Sequence, residues 1–362
     1  MNKPIKLSSP KVSNRSIYEA VKVLKSGKLS QGEKTKKFEI EFSRRVNNAN
    51  CIAVNSGTSA LHVAISSLGL RPGFEALVPS FSFAATANAV VIAGGKPVFI
   101  DIDPLTFNMN VEKIEEAITS ATKLILPVHL YGLPADMTAI NLIAKKHDLY
   151  VIEDAAQAHG ASIDSVPVGY FGDLACFSFY PTKNMTSCEG GMIVAKQTNH
   201  ENYCRLLINQ GMAKKYENEI VGYNLRMSEI HATIGLGQLK KLEVMNDKRI
   251  KIAAFYMNNI ERLEMPYVPK GFKHVFHQFT FRLPYEIRSN FQAWMKARGV
   301  ETGVYYPTPI HKLKSFNFAN LDLPVTNLAA QEVVSIPIHP NLHFEEYKRV
   351  VENINIYVQK EI

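Results

Sequence analysis

The order of apolar runs predicts an α/β protein, with a mostly parallel central sheet sandwiched by helices and a smaller C-terminal α/β domain. Two observations carry this. Strand-like runs at 51–54, 76–78, 97–100, 124–128, 150–152, 175–179 and 192–195 alternate with segments of helical periodicity, such as Ile17, Ala20, Val21 and Leu24, or Met137, Ile140, Leu142 and Ile143. From Ser228 the pattern becomes one long helix at about 228–263, with Ile230, Ile234, Leu236, Leu239 and Leu242 ahead of Ile252, Phe255 and Tyr256, a length that suits a connector. We therefore expect a large domain over 1–240 and a small one over 241–362. The small one has strand candidates at 276–281 and 303–306 and helices at 290–298 and 344–358.

The first strand, Cys51-Ile52-Ala53-Val54, runs into Asn55-Ser56-Gly57-Thr58-Ser59-Ala60-Leu61 and then an amphipathic stretch to Leu68. That is a strand, a tight turn and a helix start. Free backbone N–H groups and the positive dipole end at such a start hold a phosphate, with Gly57 allowing close approach and the Thr58 hydroxyl adding a donor. The competing reading is a Ser56 or Thr58 that only caps the helix.

The next strand, Glu75 to Val78, leads through Pro79-Ser80-Phe81-Ser82-Phe83-Ala84-Ala85-Thr86 into an apolar helix from Ala87 to Ala93. Phe83 is placed to project over a flat ring, an offset contact worth about 0.5–1.5 kcal/mol beyond its burial. A phenylalanine in such a position is otherwise plain core.

Further on, Val151-Ile152-Glu153-Asp154-Ala155-Ala156-Gln157 ends an apolar strand in a carboxylate, Asp154, at the carboxyl edge of the sheet, where open α/β folds bind ligands. Lys183 follows within Phe177-Ser178-Phe179-Tyr180-Pro181-Thr182-Lys183-Asn184. A carboxylate and a lysine at this interval fit a pyridoxal 5'-phosphate (PLP) site. That cofactor joins its aldehyde to an amine, and it becomes an electron sink only if its pyridine nitrogen stays protonated beside a fixed carboxylate. A lysine is needed to hold it as an imine, then to leave and carry protons between carbon centres. Taken singly, a lysine near a loop is ordinarily a solvated charge and an aspartate after a strand a helix cap; their specificity comes from the company they keep.

Bulk properties agree with an enzyme. The chain of 362 residues is 46% hydrophobic and 20% charged, ordinary for a soluble globular protein with a substantial core. A net charge of +8 raises nucleic acid as a partner, yet the lysines of the first forty residues are interleaved with apolar positions, and neither the aromatic spacing of a single-strand binder nor a zinc-finger spacing is present. No nucleic-acid partner is expected; the positive field would assist capture of an anionic small molecule. Cys51, Cys176, Cys188 and Cys204 form no CxxC pair and read as reduced thiols, which with the absence of an apolar signal core or bilayer-length run implies a cytoplasmic protein with no membrane partner. No metal site is expected: His274 and His277 stand beside Phe276 and Phe279 in a pattern that lines a fold surface, His62 and His231 fall within helical patterns, and His159 lies five residues after Asp154 without a clear role.

With these elements in order, the chain resembles the DegT/StrS-like sugar aminotransferases, PLP enzymes that mostly work on nucleotide-linked keto sugars. The resemblance runs nearly end to end, through Ser26-Gly27-Lys28-Leu29-Ser30-Gln31-Gly32, Asp101-Ile102-Asp103-Pro104, His129-Leu130-Tyr131-Gly132, Glu189-Gly190-Gly191-Met192, Gly222-Tyr223-Asn224-Leu225-Arg226-Met227, Tyr305-Tyr306-Pro307-Thr308-Pro309-Ile310-His311 and Ser335-Ile336-Pro337-Ile338-His339-Pro340. It implies that Lys183 is the Schiff-base lysine, Asp154 the partner of the pyridine nitrogen and Gln157 the residue at the ring's phenolic oxygen. Gly57, Thr58 and Ser178 match the phosphate binders and Phe83 the stacking aromatic. Asn224 matches an asparagine that reaches the phosphate from the neighbouring subunit, which implies a homodimer with shared active sites. Tyr306 and His311 fall in a stretch that resembles a substrate-facing loop. The chain departs from many relatives in reading Thr186-Ser187-Cys188 where they carry Thr-Thr-Gly, so the backbone angles of that turn are open. It keeps Lys183 where sugar-dehydrating relatives have histidine, which favours amino transfer. The function implied is transfer of an amino group from glutamate or glutamine to a nucleotide-linked keto sugar, a 4-keto-6-deoxy or 3-keto sugar, for amino-sugar and polysaccharide biosynthesis. Amination of a cyclitol ketone and a non-catalytic, cofactor-binding regulatory role are the alternatives.

Overall fold

All seven strand-like runs enter one sheet. A computed structural model describes residues 4–316 and 321–361. In chain order the strands are Asn50–Val54 (β1), Glu75–Pro79 (β2), Lys96–Ile100 (β3), Thr122–Ile125 (β4), Tyr150–Asp154 (β5), Leu174–Ser178 (β6) and Gly191–Ala195 (β7), and they lie side by side as β1-β7-β6-β5-β4-β2-β3. Every neighbouring pair from β6 to β3 is parallel, whereas β7 is antiparallel to both β6 and β1. Six strands thus point their carboxyl ends to one edge.

Alternation decides what each face buries. In chain order the first six α-helices among the described residues are Asn14–Ser26 (α1), Glu33–Ser43 (α2), Gly57–Ser66 (α3), Ala85–Ile92 (α4), Met137–Lys146 (α5) and Thr198–Ile208 (α6); Ile52, Val54, Ala76, Val78 and Ile193 turn to one side and pack on α3, α4 and α6. Cys51, Ala53, Ala175, Phe177 and Met192 turn to the other, where Phe38 and Phe42 of the helix Glu33–Ser43 join Leu239. Further along that face, Leu77, Ile125 and Val151 meet Met137, Ile140 and Ala144 of the helix Met137–Lys146. With both faces covered the strands can be continuously apolar.

The long helix expected over 228–263 is instead two, Glu229–Leu239 and Leu242–Asn259, separated at Lys240 and Lys241. Leu239 and Leu242, on either side of the break, both belong to the core beneath the sheet, while Ile252, Ala253 and Tyr256, further along the second helix, belong to a second core with Phe279, Phe281, Phe291, Val334, Ile336, Ile354 and Tyr357. The second helix therefore links the two cores. The second core is built on an antiparallel pair, Phe279–Arg282 with Val333–Ile336, flanked by helices Tyr285–Ala297 and Phe344–Glu361. The strand expected from residue 276 begins only at Phe279, because Phe276 has φ +45° and its amide donates to His274 Nδ1 at 3.0 Å, a turn rather than a strand start. At 303–306 the only ladder contact among the described residues is Gly303 with Ser335. No helix among the described residues is long and apolar enough to cross a membrane.

Candidate active site

The carboxyl edge of the sheet carries a cavity of about 540 Å³ lined by Gly57, Thr58, Phe83, Asp154, Gln157, Ser178, Lys183 and Tyr306, eight of the ten residues expected from the sequence. Gly57 and Thr58 share a helix start, but the others arrive from separate stretches of the chain, so the fold assembles them.

Strand alternation places Asp154. Glu153 and Asp154 leave β5 on opposite sides, and Glu153, fully buried, fastens the far side: it accepts from the amides of Gly169, Phe171 and Gly172 at 2.8 Å each and from His129 Nε2 at 3.0 Å. His129 Nδ1 accepts from Ala135 N, so the ring proton sits on Nε2 and points at Glu153. Asp154, 4% exposed, then opens into the cavity with Oδ2 accepting from Thr86 Oγ1 at 2.8 Å and Oδ1 from Ala156 N at 3.2 Å. Burial raises its pKa, while the Thr86 hydroxyl, the Ala156 amide and the Lys183 charge pull the other way.

Lys183 is half-buried, with its remaining surface turned to the cavity it lines. Burial lowers its amine to about pKa 8 against the opposing pull of Asp154. A lysine so tuned is partly neutral near neutral pH, the state in which its nitrogen is a nucleophile and a base.

At the other end of the cavity, helix α3 begins at Gly57. Ser56 does cap it, its Oγ accepting from Ser59 N at 3.1 Å, and its carbonyl accepts from Ala60 N. The amides of Gly57 and Thr58 are left without a partner among the described residues, so the cap and the anion cradle coexist. A Cβ on Gly57 would stand 2.7 Å from Ser178 Cβ, which makes the glycine a condition for bringing the end of β6 against the helix start. A phosphate fits this cradle, a protonated ring nitrogen fits Asp154 and an aldehyde fits Lys183; the residues present therefore match PLP.

Phe83 is 60% exposed, so it is not core; its ring lines the cavity 6.1 Å from that of Tyr306. Gln157 accepts from Tyr131 N through Oε1 at 2.8 Å and donates through Nε2 to the Tyr306 hydroxyl at 3.1 Å, which fixes its amide toward the cavity.

Two expected residues stand elsewhere. His311 does not line this cavity: it is buried, its Nδ1 lies 2.7 Å from Ser80 Oγ and its amide donates to the same oxygen, just after β2. Asn224 is exposed, away from the cavity of its own chain. Sequence reasoning missed Thr86, although it ended the run quoted for Phe83, and His277, which lines the cavity rather than a fold surface. Cys188 sits at φ +71°, the conformation that glycine adopts freely, so the Thr186-Ser187-Cys188 turn keeps a left-handed bend despite its sequence.

Comparison with known proteins agrees with this geometry. Residues 10–355 match the DegT/DnrJ/EryC1/StrS aminotransferase family. The UDP-N-acetyl-3-dehydro-alpha-D-glucosamine 3-aminotransferase of Acidithiobacillus ferrooxidans is 40% identical over 91% of this chain and 90% of its own length. The dTDP-3-amino-3,6-dideoxy-alpha-D-galactopyranose transaminase of Aneurinibacillus thermoaerophilus is 39% identical over 93% of each. The crystal structure of NtdA from Bacillus subtilis with bound cofactor PMP superposes with a TM-score of 0.90 at 35% identity, over 97% of this chain and 83% of that one. A match that spans nearly the whole chain, over a cavity that pairs Lys183 with Asp154, identifies the protein as a PLP-dependent aminotransferase of the DegT/DnrJ/EryC1/StrS family.

Proposed function

We propose that the enzyme moves an amino group from glutamate or glutamine to the keto carbon of a nucleotide-linked sugar, a 4-keto-6-deoxy or 3-keto sugar, for amino-sugar and polysaccharide biosynthesis. The observation that carries the reading is one cavity in which Lys183 and Asp154 stand opposite a phosphate cradle. Its relatives from Acidithiobacillus and Aneurinibacillus, which are named for UDP- and dTDP-linked sugars, support the substrate class.

Bound PLP supplies an electron sink. Asp154 keeps that sink available by presenting a carboxylate to the pyridine nitrogen; being buried, the carboxylate gains most from a cationic partner. Lys183 Nζ, neutral in part near its pKa of about 8, takes the proton from the α-carbon of the amino donor and later returns a proton to the sugar carbon that receives the amine. Gly57, Thr58 and Ser178 would hold the phosphate, Phe83 would lie against the ring, and Gln157, steered by Tyr131, would meet the phenolic oxygen. Tyr306 shares its hydroxyl with Gln157 and so stands where substrate would meet cofactor.

The active site in this reading is completed in a homodimer. Asn224, exposed and outside its own cavity, reaches the phosphate of the neighbouring subunit. The division into a large domain over 1–240 and a small one over 241–362 rests on the second core, although Ile5 joins that core and Ile310 and Leu323 join the first. Four cysteines, all unpaired, suit a cytoplasmic enzyme.

Incubation of the purified enzyme with glutamate and a panel of nucleotide-linked keto sugars and inososes, followed by mass spectrometry, tests the substrate class. Conversion of a ketone to an amine on a sugar nucleotide is the expected result, and amination of inososes alone would overturn it.

A further inference from the structure

A second cleft, of about 610 Å³, meets the reaction cavity at Thr182 and Lys183. Lys11, Lys240, Lys241, Lys248 and Arg249 line it, and no aspartate or glutamate among the described residues does. None of these five cations forms an ion pair among the described residues. The N-terminal end of the helix Asn14–Ser26 also faces it through Ser13 and Asn14, which adds the positive end of a helix dipole.

Arg249 is the decisive member. It is 4% exposed, and Nη1 donates only to two neutral carbonyls, Phe276 O at 3.3 Å and Ile338 O at 2.5 Å, while Nε has no partner. Burial lowers its pKa to about 10 and no carboxylate offsets that. His339, 5% exposed in the same wall, likewise leaves Nδ1 without a partner. Folds rarely bury an unpaired guanidinium, because the desolvation penalty is recovered only from an opposite charge. Here the counter-charge is missing from the chain itself, and the cleft gives an anion a way in.

We propose that this cleft is a binding site for a diphosphate group, inorganic or nucleotide-borne, separate from the phosphate cradle at Gly57. The arrangement of a buried planar fork with flexible ammonium groups around it is the one that phosphoryl oxygens favour, and the volume exceeds what a single phosphate fills.

The test uses the PLP-saturated enzyme, so that the cradle at Gly57 is filled, titrated calorimetrically at low ionic strength with pyrophosphate and, separately, with UDP. Saturable binding of pyrophosphate is expected, weakened about tenfold or more in a Lys241→Glu/Lys248→Glu double variant. A Lys25→Glu/Lys123→Glu variant, with the same charge change on exposed lysines outside the cleft, should shift the affinity by about twofold at most, since screened surface charges act weakly at a distance. Arg249→Met should abolish binding; because it changes a buried position, the lysine pair carries the test if that variant does not fold. A larger affinity loss for UDP than for pyrophosphate in the double variant assigns a nucleotide-borne diphosphate, and equal losses assign the phosphoryl groups alone. Absence of saturable pyrophosphate binding, or an equal loss in both double variants, overturns the proposal.

Discussion

Thr86 Oγ1 donates a 2.8 Å hydrogen bond to Asp154 Oδ2, tying the first turn of α4 to the end of β5 at the floor of the cavity. Hydrogen bonds to a charged group are worth about 1.5–3 kcal/mol. Thr86→Val should therefore lower kcat by about tenfold to a hundredfold, with Thr86→Ser retaining most of it. Steady-state kinetics on both variants checks this, and an unchanged kcat in the valine variant would separate the hydroxyl from the chemistry.

Lys183→Ala should abolish the visible absorbance of the cofactor-loaded enzyme together with turnover, because no other lysine lines the cavity. Asp154→Asn should leave the fold nearly intact while lowering the rate by orders of magnitude, since a neutral ring accepts electrons poorly. Spectra, circular dichroism and single-turnover rates distinguish the two.

The depressed pKa of Lys183 links stability to pH in the cofactor-free protein. The folded amine releases its proton near pH 8 and the unfolded one near 10.5, so the penalty of burying an ammonium is fully present below pH 8 and disappears as pH rises toward 10.5. Allowing for solvent access through the cavity, the effect is on the order of 2 kcal/mol. Lys183→Met should thus be more stable than the parent at pH 7, and the gap should close by about pH 10.5. Urea denaturation of both proteins across that range measures it; a gap independent of pH would refute the shift.

Gly57→Ala forces a Cβ to within 2.7 Å of Ser178 Cβ. Overpacking of this kind costs about 1–3 kcal/mol, and it falls on the cradle, so the dissociation constant for PLP should rise about tenfold or more. Fluorescence titration of the variant with PLP decides the point, and an unchanged dissociation constant would separate Gly57 from the cradle.

His277 is held in one tautomer. Asn184 Nδ2 donates to Asn246 Oδ1 and Val275 O, so Asn184 Oδ1 accepts from His277 Nδ1–H at 3.2 Å. Burial, reinforced by the charges of Lys183 and Arg249, keeps the ring neutral and leaves Nε2 as an acceptor for the cavity. His277→Phe should lower kcat/KM by about tenfold, the worth of one hydrogen bond, and Asn184→Leu should reproduce part of that loss. An unaltered kcat/KM in the phenylalanine variant would leave His277 a packing residue.

The seven strands were legible because each is a short apolar run buried on both sides, and the cofactor pairing was legible because Asp154 and Lys183 belong to compact motifs. What escaped notice depends on contacts that no local pattern encodes. The break at Lys240 and Lys241 falls inside an uninterrupted helical periodicity with neither glycine nor proline to mark it. His311 follows Tyr306 by five residues, yet the hydrogen bonds to Ser80 take it out of the site. Thr86 and His277 acquire meaning only from partners 68 and 93 residues away, Asp154 and Asn184. The reversal of β7 was equally hidden, since an apolar strand reads the same in either direction.

That reversal has a temporal side. β7 slots between β1 and β6, pairing Val54 with Gly191 and Ser178 with the same glycine, so the two walls of the phosphate cradle are joined by a segment synthesised long after the first of them. A nascent chain that ends before Leu174 holds Gly57 and Thr58 without Ser178 opposite them. Vitamin capture must wait until residue 195 has left the ribosome, and any truncation upstream of that point should yield a fragment blind to the cofactor.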